Sequence, residues 1–570
     1  MGSGKQKSPK RRCLTLDDSL QCIFNCLDSY QDRAAVSLVC KQWYRVDGAT
    51  RKRIYIPNCY SILPSGLPKR FKDLQSIKLK GKPRASEFDI LEKDWGGHTG
   101  PWVQEIVRSY PKLQSLHLRR MEICDEDLEL LARGCTSLQV LKLDKCKGFT
   151  TIGLQVIAQS CRFLRELSLE ESEITMDEGG QWLWELGQNN PMLEKLSIAA
   201  DGLEEDNVVD PLLSVVQRCK FLTALKVREI EIEKFREVLK SCSMPMEELG
   251  VGCYSMLDDH RLLATSLLPW VSKLKILDLK FALLSAEGQC ELLSYCHSLE
   301  ELELRSVVGD RGMDVVGKTC TQLKRIRVEQ DSSEIPGLVS HIGMTALAEG
   351  CRELEFLVMY LSNVTNSALA AVGHRLTKLT DFRIVLLRVL DEVEDLPLDQ
   401  GVRSLLQGCQ NLTRFSVYLR RGGLSDRGLA YIGEFGGNLK WILLGMSGES
   451  GEGLKQLASG CQQLERLELR GCPFGEQELA EALLSMRSLK ALWVQGQGAT
   501  ERVARLLASY KPFFHVEVMT QSTQILGYHS LASPRTDCPN SVQVLSAQYC
   551  HPAGAELHAG LEASGTVETC

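Results

Sequence analysis

The chain has 570 residues, of which 44% are hydrophobic and 25% charged, and its formal net charge is -6. That length exceeds what a single core organises, so several domains or a repeat array is expected. No stretch approaches the roughly 18 uninterrupted apolar residues of a membrane span, so no membrane partner is expected.

In chain order, residues 1–15 carry Lys5, Lys7, Lys10, Arg11 and Arg12 with no apolar segment behind them. This reads as a disordered basic tail, with weak nuclear import as a second reading, and not as a secretory leader. From 16 to 56 the pattern becomes helical. Leu20, Ile23, Phe24 and Leu27 fall at i, i+3, i+4 and i+7, and Val36, Val39, Cys40 and Trp43 repeat that spacing. A small all-α domain of short amphipathic helices is predicted there.

From 57 to 545 a single motif recurs, LxxLxL. It begins at Leu74-x-x-Ile77-x-Leu79 and Leu113-x-x-Leu116-x-Leu118 and ends at Leu489-x-x-Leu492-x-Val494, with sixteen copies in all. Most spacings are 24 to 29 residues, the period of leucine-rich repeats. Helical patterns such as Asp125-Glu126-x-Leu128-x-x-Leu131 lie between copies, with acids in the first turn. The predicted fold is therefore an α/β leucine-rich-repeat solenoid, a horseshoe with a parallel inner sheet and outer helices. Of the 22 Cys, eight (Cys135, Cys161, Cys219, Cys296, Cys320, Cys351, Cys409 and Cys461) stand three residues before a motif. A small apolar side chain at one repeat position is a packing residue, and there is no CxxC pair to hold zinc. A reducing, intracellular compartment is expected. Residues 546–570 read as a second disordered tail.

Strand alternation then assigns faces. The last two Leu of each motif point to the core, so their neighbours point to the concave surface. Those positions hold Lys78, Lys80, His117, Arg119, Lys142, Arg325, Arg327, Arg383, Arg466 and Arg470, with the aromatics Tyr360, Tyr418, Trp441 and Trp493. Like charges about 8 Å apart repel by roughly 2 kcal/mol at an effective dielectric near 20. A bound polyanion would relieve such a belt; cross-strand ion pairs are the alternative. An enclosed belt inside an acidic chain argues against nucleic acid. Three long gaps place extra residues directly after strands, at 80–100, 330–342 and 386–401, and such insertions commonly cover the binding face. The ten His form no HxxxH or HxH pair, and no GxSxG or phosphate loop is present, so neither an enzyme nor a metal site is expected.

Wording adds to pattern. Leu16-Asp17-Asp18-Ser19-Leu20, Ile23-Phe24-x-x-Leu27 and Ser37-Leu38-Val39-Cys40-Lys41-Gln42-Trp43-Tyr44 resemble an F-box, with Asp17 where many F-boxes have Pro. The segment Lys80-Gly81-Lys82-Pro83-Arg84-Ala85-Ser86-Glu87-Phe88, followed by Trp95-Gly96-Gly97, is similar to the first pocket loop of the plant F-box/leucine-rich-repeat hormone co-receptors. Arg84 after Lys-Pro, Arg325-x-Arg327-x-Glu329, Asp381-Phe382-Arg383, Tyr418-Leu419-Arg420 and Arg535-Thr536-Asp537-Cys538-Pro539 resemble the jasmonate-receptor branch.

That resemblance implies a non-catalytic substrate receptor of an SCF-type ubiquitin ligase, located in the nucleus and cytoplasm. Leu20, Ile23, Phe24, Leu27, Val39 and Trp43 would grip a Skp-type adaptor of a cullin ligase. Arg84, Arg327 and Arg383 would form a pocket floor between an oxylipin carboxylate above and an inositol polyphosphate (pentakis- or hexakisphosphate) below. Tyr360 and Tyr418 would bond the hormone; Ala85, Phe88, Ile90, Val358, Trp441 and Leu443 would wall it, with Arg470 nearby. Lys78, Lys80, His117, Arg119, Arg120, Lys142, Arg325 and Arg466 would hold the inositol phosphate. Arg305, Glu329, Arg470 and Trp493 would face the degron of a ZIM-domain repressor.

Val358 stands where flowering-plant members have Ala, Glu87 replaces a Met and Gln330 an Arg. Two extra methyl groups in a close-fitting pocket disfavour a larger ligand by roughly 1–3 kcal/mol. The expected hormone is thus smaller than jasmonoyl-isoleucine, of the dinor-oxo-phytodienoic acid type. An auxin receptor of the same family, and a ligand-independent F-box adaptor, are the alternatives.

Overall fold

The computed structural model describes residues 16–27, 29–59, 62–82, 96–175, 180–199, 206–254, 267–330, 339–387, 395–495 and 515–519. They fall into two units that divide between Leu284 and Ser285.

The first unit opens with three short helices, α1 (Leu16–Asn25), α2 (Tyr30–Val36) and α3 (Lys41–Thr50). Leu20, Phe24 and Val46 form their core, and Leu27, Val36 and Trp43 pack against it. Phe24 meets Trp43 edge to face at 5.3 Å. Leu20 and Phe24, two of the residues expected to grip an adaptor, are 6% and 1% exposed and hold the helices together. The exposed apolar face is Ile23 and Val39, joined by Leu16, Leu38 and Tyr44. Small helical domains use half of each amphipathic stripe for their own core, and the spacing alone does not say which half.

Among the described residues of this unit, nine strands of one parallel sheet follow: β1 (Arg53–Ile56), β2 (Ser76–Lys80), β3 (Ser115–Arg119), β4 (Val140–Asp144), β5 (Glu166–Ser168), β6 (Lys195–Ala199), β7 (Ala224–Glu231), β8 (Glu248–Tyr254) and β9 (Ile276–Asp278). Each pairs with the next in chain order. Strand β1 pairs in register with β2, so the helical module ends near Thr50 and the expected boundary at 56 gives way to the first strand of the sheet. The second unit repeats the plan with β10 (Glu301–Arg305), β11 (Arg325–Glu329), β12 (Phe356–Leu361), β13 (Asp381–Leu386), β14 (Arg414–Tyr418), β15 (Trp441–Gly445), β16 (Arg466–Arg470), β17 (Ala491–Gln495) and β18 (His515–Met519). These too are parallel and paired in chain order. The motif leucines alternate inward as the period of two requires: Leu116, Leu141, Leu357 and Leu467 are fully buried. Each such side chain stabilises the array by about 1.5–3 kcal/mol.

Three ladders fix the repeats to one another. The motif cysteines are buried, and several thiols donate to carbonyl oxygens of the preceding repeat, as from Cys219 to Asn190 (3.3 Å) and Cys409 to Leu376 (3.3 Å). Burial pushes the Cys219 and Cys409 thiols up to about 12, so they are inert packing groups. Aspartates at helix starts cap the next repeat. Asp310 accepts from the Ser340 amide and hydroxyl (both 2.7 Å) and from the Gly343 amide (2.9 Å), and Asp125, Asp399 and Asp426 do the same for their successors. On the helix side, glycines let backbones touch: a Cβ on Gly408 would lie 1.9 Å from the Gly373 carbonyl oxygen. The turn after a strand takes positive φ at Arg120, Lys145 and Met446, and at Gly471, where no side chain resists it.

Candidate functional site

Strand register turns each unit's concave face into rows of side chains about 4.8 Å apart. In the first unit one row reads Tyr55, Lys78, His117, Lys142 and Ser168, and the next reads Lys80, Arg119 and Asp144. Five expected phosphate ligands thus share one patch. Lys142 pairs with Glu166 (2.6 Å) and Arg119 with Asp144 (3.3 Å), while the His117 ring lies 3.8 Å from the same Asp144. Among the described residues, Lys78, Lys80, Arg119 and Lys142 share this patch with Glu166 and Asp144. Lys78 lies 5.7 Å from the Tyr55 ring, and burial, with Arg119 and Lys142 beside it and Asp144 opposing, holds its ammonium below the usual lysine range. A cluster of cations on a partly buried surface suits an anion with several charges. Arg120 differs from its expected role: it is 7% exposed, and its Nε donates to the Lys82 carbonyl, which secures the strand exit.

The second unit carries three rows. The lower is Glu301, Arg325, Phe356, Asp381, Arg414, Trp441 and Arg466; the middle is Glu303, Arg327, Val358, Arg383, Ser416, Leu443, Glu468 and Trp493. The upper row holds Arg305 and Glu329 at one end, then Tyr360, Val385, Tyr418, Gly445 and Arg470. Val385 stands between Tyr360 and Tyr418 in the upper row, and in the middle row Val358 and Leu443 are interspersed with Arg327, Arg383 and Ser416. Gly445 makes room for the Tyr418 ring, since a Cβ there would stand 2.2 Å from Tyr418 Cδ2.

Ion pairing revises the electrostatic expectation for this unit. Arg383 donates from Nε and Nη2 to both oxygens of Asp381 (2.7 and 2.6 Å), and Arg414 reaches the same carboxylate at 3.3 Å. Arg327 pairs with Glu329 (3.1 Å) and Arg325 with Glu301 (3.5 Å). Glu468 is 1% exposed and accepts from Trp441 Nε1 (3.2 Å), Arg466 Nε (2.9 Å) and Arg470 Nη2 (3.3 Å). Arg470 and Trp493, expected at a peptide surface, are buried with the guanidinium 4.4 Å from the ring centroid.

Cations nevertheless crowd the lower rows. Arg325, Arg383 and Arg327 stand 4.1, 5.3 and 5.8 Å from the Phe356 ring, and Arg414 and Arg383 stand 3.7 and 4.7 Å from Trp441. Burial acts against the Arg327 charge, but Glu303 and Glu329 outweigh it and hold the guanidinium above its usual value. Arg414 goes the other way, pushed down to about 9, first by burial and then by Arg383, against Asp381. An anion placed beside Arg383 and Arg414 would relieve that repulsion.

Phe356, Asp381 and Arg414 are residues of this face that the strand reading does not single out, whereas it places Glu468 among the acids of the face. Register would have found them, because Phe356, Asp381 and Arg414 share a row with Arg325 and Arg466. Arg84, Ala85, Phe88 and Ile90 lie outside the described residues, as do most of the three expected pocket loops.

Two family models match the chain: an F-box over residues 12–53 and the Transport inhibitor response 1 protein domain over residues 72–118. Coronatine-insensitive protein 1 of Arabidopsis thaliana is 40% identical over 584 residues, spanning 95% of this chain and 98% of that protein. Coronatine-insensitive protein homolog 1b of Oryza sativa subsp. japonica is 40% identical over 573 residues, 92% of this chain and 95% of its own. F-box protein FBX14 of Arabidopsis thaliana is 31% identical over 580 residues, 93% of this chain and 91% of its own.

Proposed function

The chain belongs to the coronatine-insensitive family of F-box/leucine-rich-repeat proteins, and from that premise we propose that it is a jasmonate-type hormone co-receptor. As an SCF substrate receptor it does no chemistry itself. Its exposed F-box face, Ile23 and Val39 with Leu38 and Tyr44, meets a Skp-type adaptor and so a cullin ligase. Its strand face takes an oxylipin and the degron of a ZIM-domain repressor, which is then ubiquitinated.

The observation that carries this reading is a strand face on which Val385 stands between Tyr360 and Tyr418 in one row, while Val358 and Leu443 share the adjacent row with Arg327 and Arg383. It has the polarity of an oxylipin: a hydrocarbon ring and chain, a ketone for a tyrosine hydroxyl, and a carboxylate for a guanidinium. Arg84 is proposed as a further carboxylate partner. An inositol polyphosphate is the proposed occupant for the lysine patch of the first unit, and Arg325, Arg327, Arg383 and Arg466 also offer donors suited to phosphate oxygens. Arg305, Glu329, Arg470 and Trp493 are the proposed degron contacts. The nucleus, together with the cytoplasm, is the proposed compartment, which a fluorescent fusion would test.

Val358 is 8% exposed and lies in register between Arg327 and Arg383, so its methyl groups border the place assigned to the ligand. The ligand is proposed to be of the dinor-oxo-phytodienoic acid type. Pull-down of the full chain with its adaptor on a ZIM degron peptide, across an oxylipin panel, tests this. Capture with the dinor-oxo compound alone supports the whole proposal. Capture with jasmonoyl-isoleucine keeps the receptor and removes the size argument, as does a Val358→Ala protein that gains no response to jasmonoyl-isoleucine. Capture of an auxin-repressor degron with auxin instead would move the chain to the other branch.

A further inference from the structure

The F-box contains a buried charge cluster that takes no part in the sites above. Asp47, on α3, has no exposed surface. Its carboxylate meets three guanidinium groups: Arg33 of α2 at 3.2 Å, Arg51 just after α3 at 2.9 Å, and Arg70 at 3.4 Å. Arg70 comes from outside the three-helix module, from the short helix Leu67–Arg70 that precedes β2. Within the module the network is closed. Arg33 donates to the Phe24 carbonyl (3.1 Å) and to Thr50 Oγ1, and Arg51 donates to the Arg33 carbonyl (2.8 Å).

The Arg70 contact is reinforced on both sides. Its guanidinium lies 4.0 Å from the Tyr44 ring of α3 and 5.0 Å from the Phe71 ring. Gly48 brings α3 against it, since a Cβ on Gly48 would stand 2.6 Å from the Arg70 carbonyl oxygen. A buried ionic network is a poor way to gain stability, because well-packed apolar groups do as well. Its distinctive effect is directional: the Arg70 Nη2 hydrogen bond to Asp47 (3.4 Å), with the guanidinium stacked on Tyr44, tolerates less sliding than an apolar contact.

We propose that Asp47 and Arg70 form a rigid joint that fixes the orientation of the adaptor-binding face relative to the first repeats. Asp47 and Arg70 are positioning residues in this sense: they touch neither substrate nor ubiquitin, but hold the captured protein at a constant reach from the ligase. The ubiquitin-transfer consequence rests on the receptor reading above; the joint itself does not.

The experiment uses the full chain in complex with its adaptor and compares wild type, Arg70→Met and Arg70→Lys. Arg70→Met leaves Asp47 paired with Arg33 and Arg51, so the F-box keeps its fold, which an unchanged circular dichroism spectrum verifies. Dyes attached through unnatural amino acids at the exposed positions Asn25 and Lys112 report the distance distribution between module and repeats. In Arg70→Met that distribution broadens, degron capture stays at the wild-type level, and single-turnover ubiquitin transfer to captured peptide falls about tenfold, as expected for a misplaced reactant. Arg70→Lys, which keeps the charge without the stacked planar guanidinium, falls between. An unchanged distance distribution in Arg70→Met, or transfer at the wild-type rate despite a broadened one, overturns the proposal. If wild type captures no degron with any ligand, the receptor reading fails while the distance measurement still decides the joint.

Discussion

Replacing Arg383 by Met separates its structural role from the ligand-binding role proposed for it. In the structure its fork is spent on Asp381, at 2.7 and 2.6 Å, and its face lies 5.3 Å from Phe356 and 4.7 Å from Trp441. Removing it does not strand Asp381, which keeps Arg414 at 3.3 Å, and it relieves the repulsion that pushes Arg414 down. The stability loss should therefore be well below the roughly 3–5 kcal/mol of breaking a buried pair outright. Ligand binding has no such compensation. A charge-assisted bond to a carboxylate contributes about 1.5–3 kcal/mol, so hormone-dependent capture should weaken by roughly ten- to a hundredfold. The assay is a titration of labelled degron peptide at saturating oxylipin, with thermal unfolding run in parallel. Arg383→Lys should recover part of the affinity, because it restores charge without the fork. Capture within about threefold of wild type, less than 1 kcal/mol, would refute Arg383 as the carboxylate partner. A collapse of folding in step with capture would refute the claim that Arg414 suffices for Asp381.

Gly408→Ala should lower the melting temperature by an amount corresponding to about 1–3 kcal/mol, since its Cβ would overlap the Gly373 backbone, whereas Gly437→Ala, with open space around it, should leave it unchanged. Glu171 is held down at about 2, where Lys280 and Lys145 overcome the opposing effect of burial. A depressed carboxylate stabilises the fold above its unfolded value and loses that contribution as pH falls through the folded one. The stability difference between wild type and Glu171→Gln should thus be constant above about pH 5 and shrink between roughly pH 4.5 and 2; a difference that is flat across that window counts against the pairing. The double variant Lys78→Ala/Lys142→Ala should bind inositol hexakisphosphate at least tenfold more weakly in calorimetry, with a shallower salt dependence, because screened charge contacts have been removed. An unaltered affinity would take the phosphate away from this patch.

Much of this could be read from the chain because the repeat repeats. Once LxxLxL is recognised as a strand, alternation alone puts Lys78, Arg327, Arg383 and Tyr418 on one face and their Leu neighbours in the core, as found. What escaped is what needs neighbours rather than spacing. Asp381 sits two residues before Arg383 on the same strand, yet its role depends on the Arg414 of the next, and only register reveals it. The buried Glu468 looks like any strand-face acid until Trp441 and two arginines close on it. Leu20 and Phe24 share a helical stripe with Ile23, and only the packing of α3 decides that they face inward. The Gly373–Gly408 contact belongs to two helices 35 residues apart, which no local pattern joins.

The central claim is that hormone and degron complete one another's site on this strand face. Thermodynamic reciprocity tests it without any variant. Equilibrium dialysis of a labelled dinor-oxo-phytodienoic ligand against the full chain and adaptor is run with and without saturating ZIM degron peptide. The account predicts that the peptide tightens the ligand by the same factor by which the ligand tightens the peptide, tenfold or more in the usual range of such couplings. Equal ligand affinity with and without peptide, alongside peptide binding that ignores the ligand, would contradict it and leave a ligand-independent F-box adaptor.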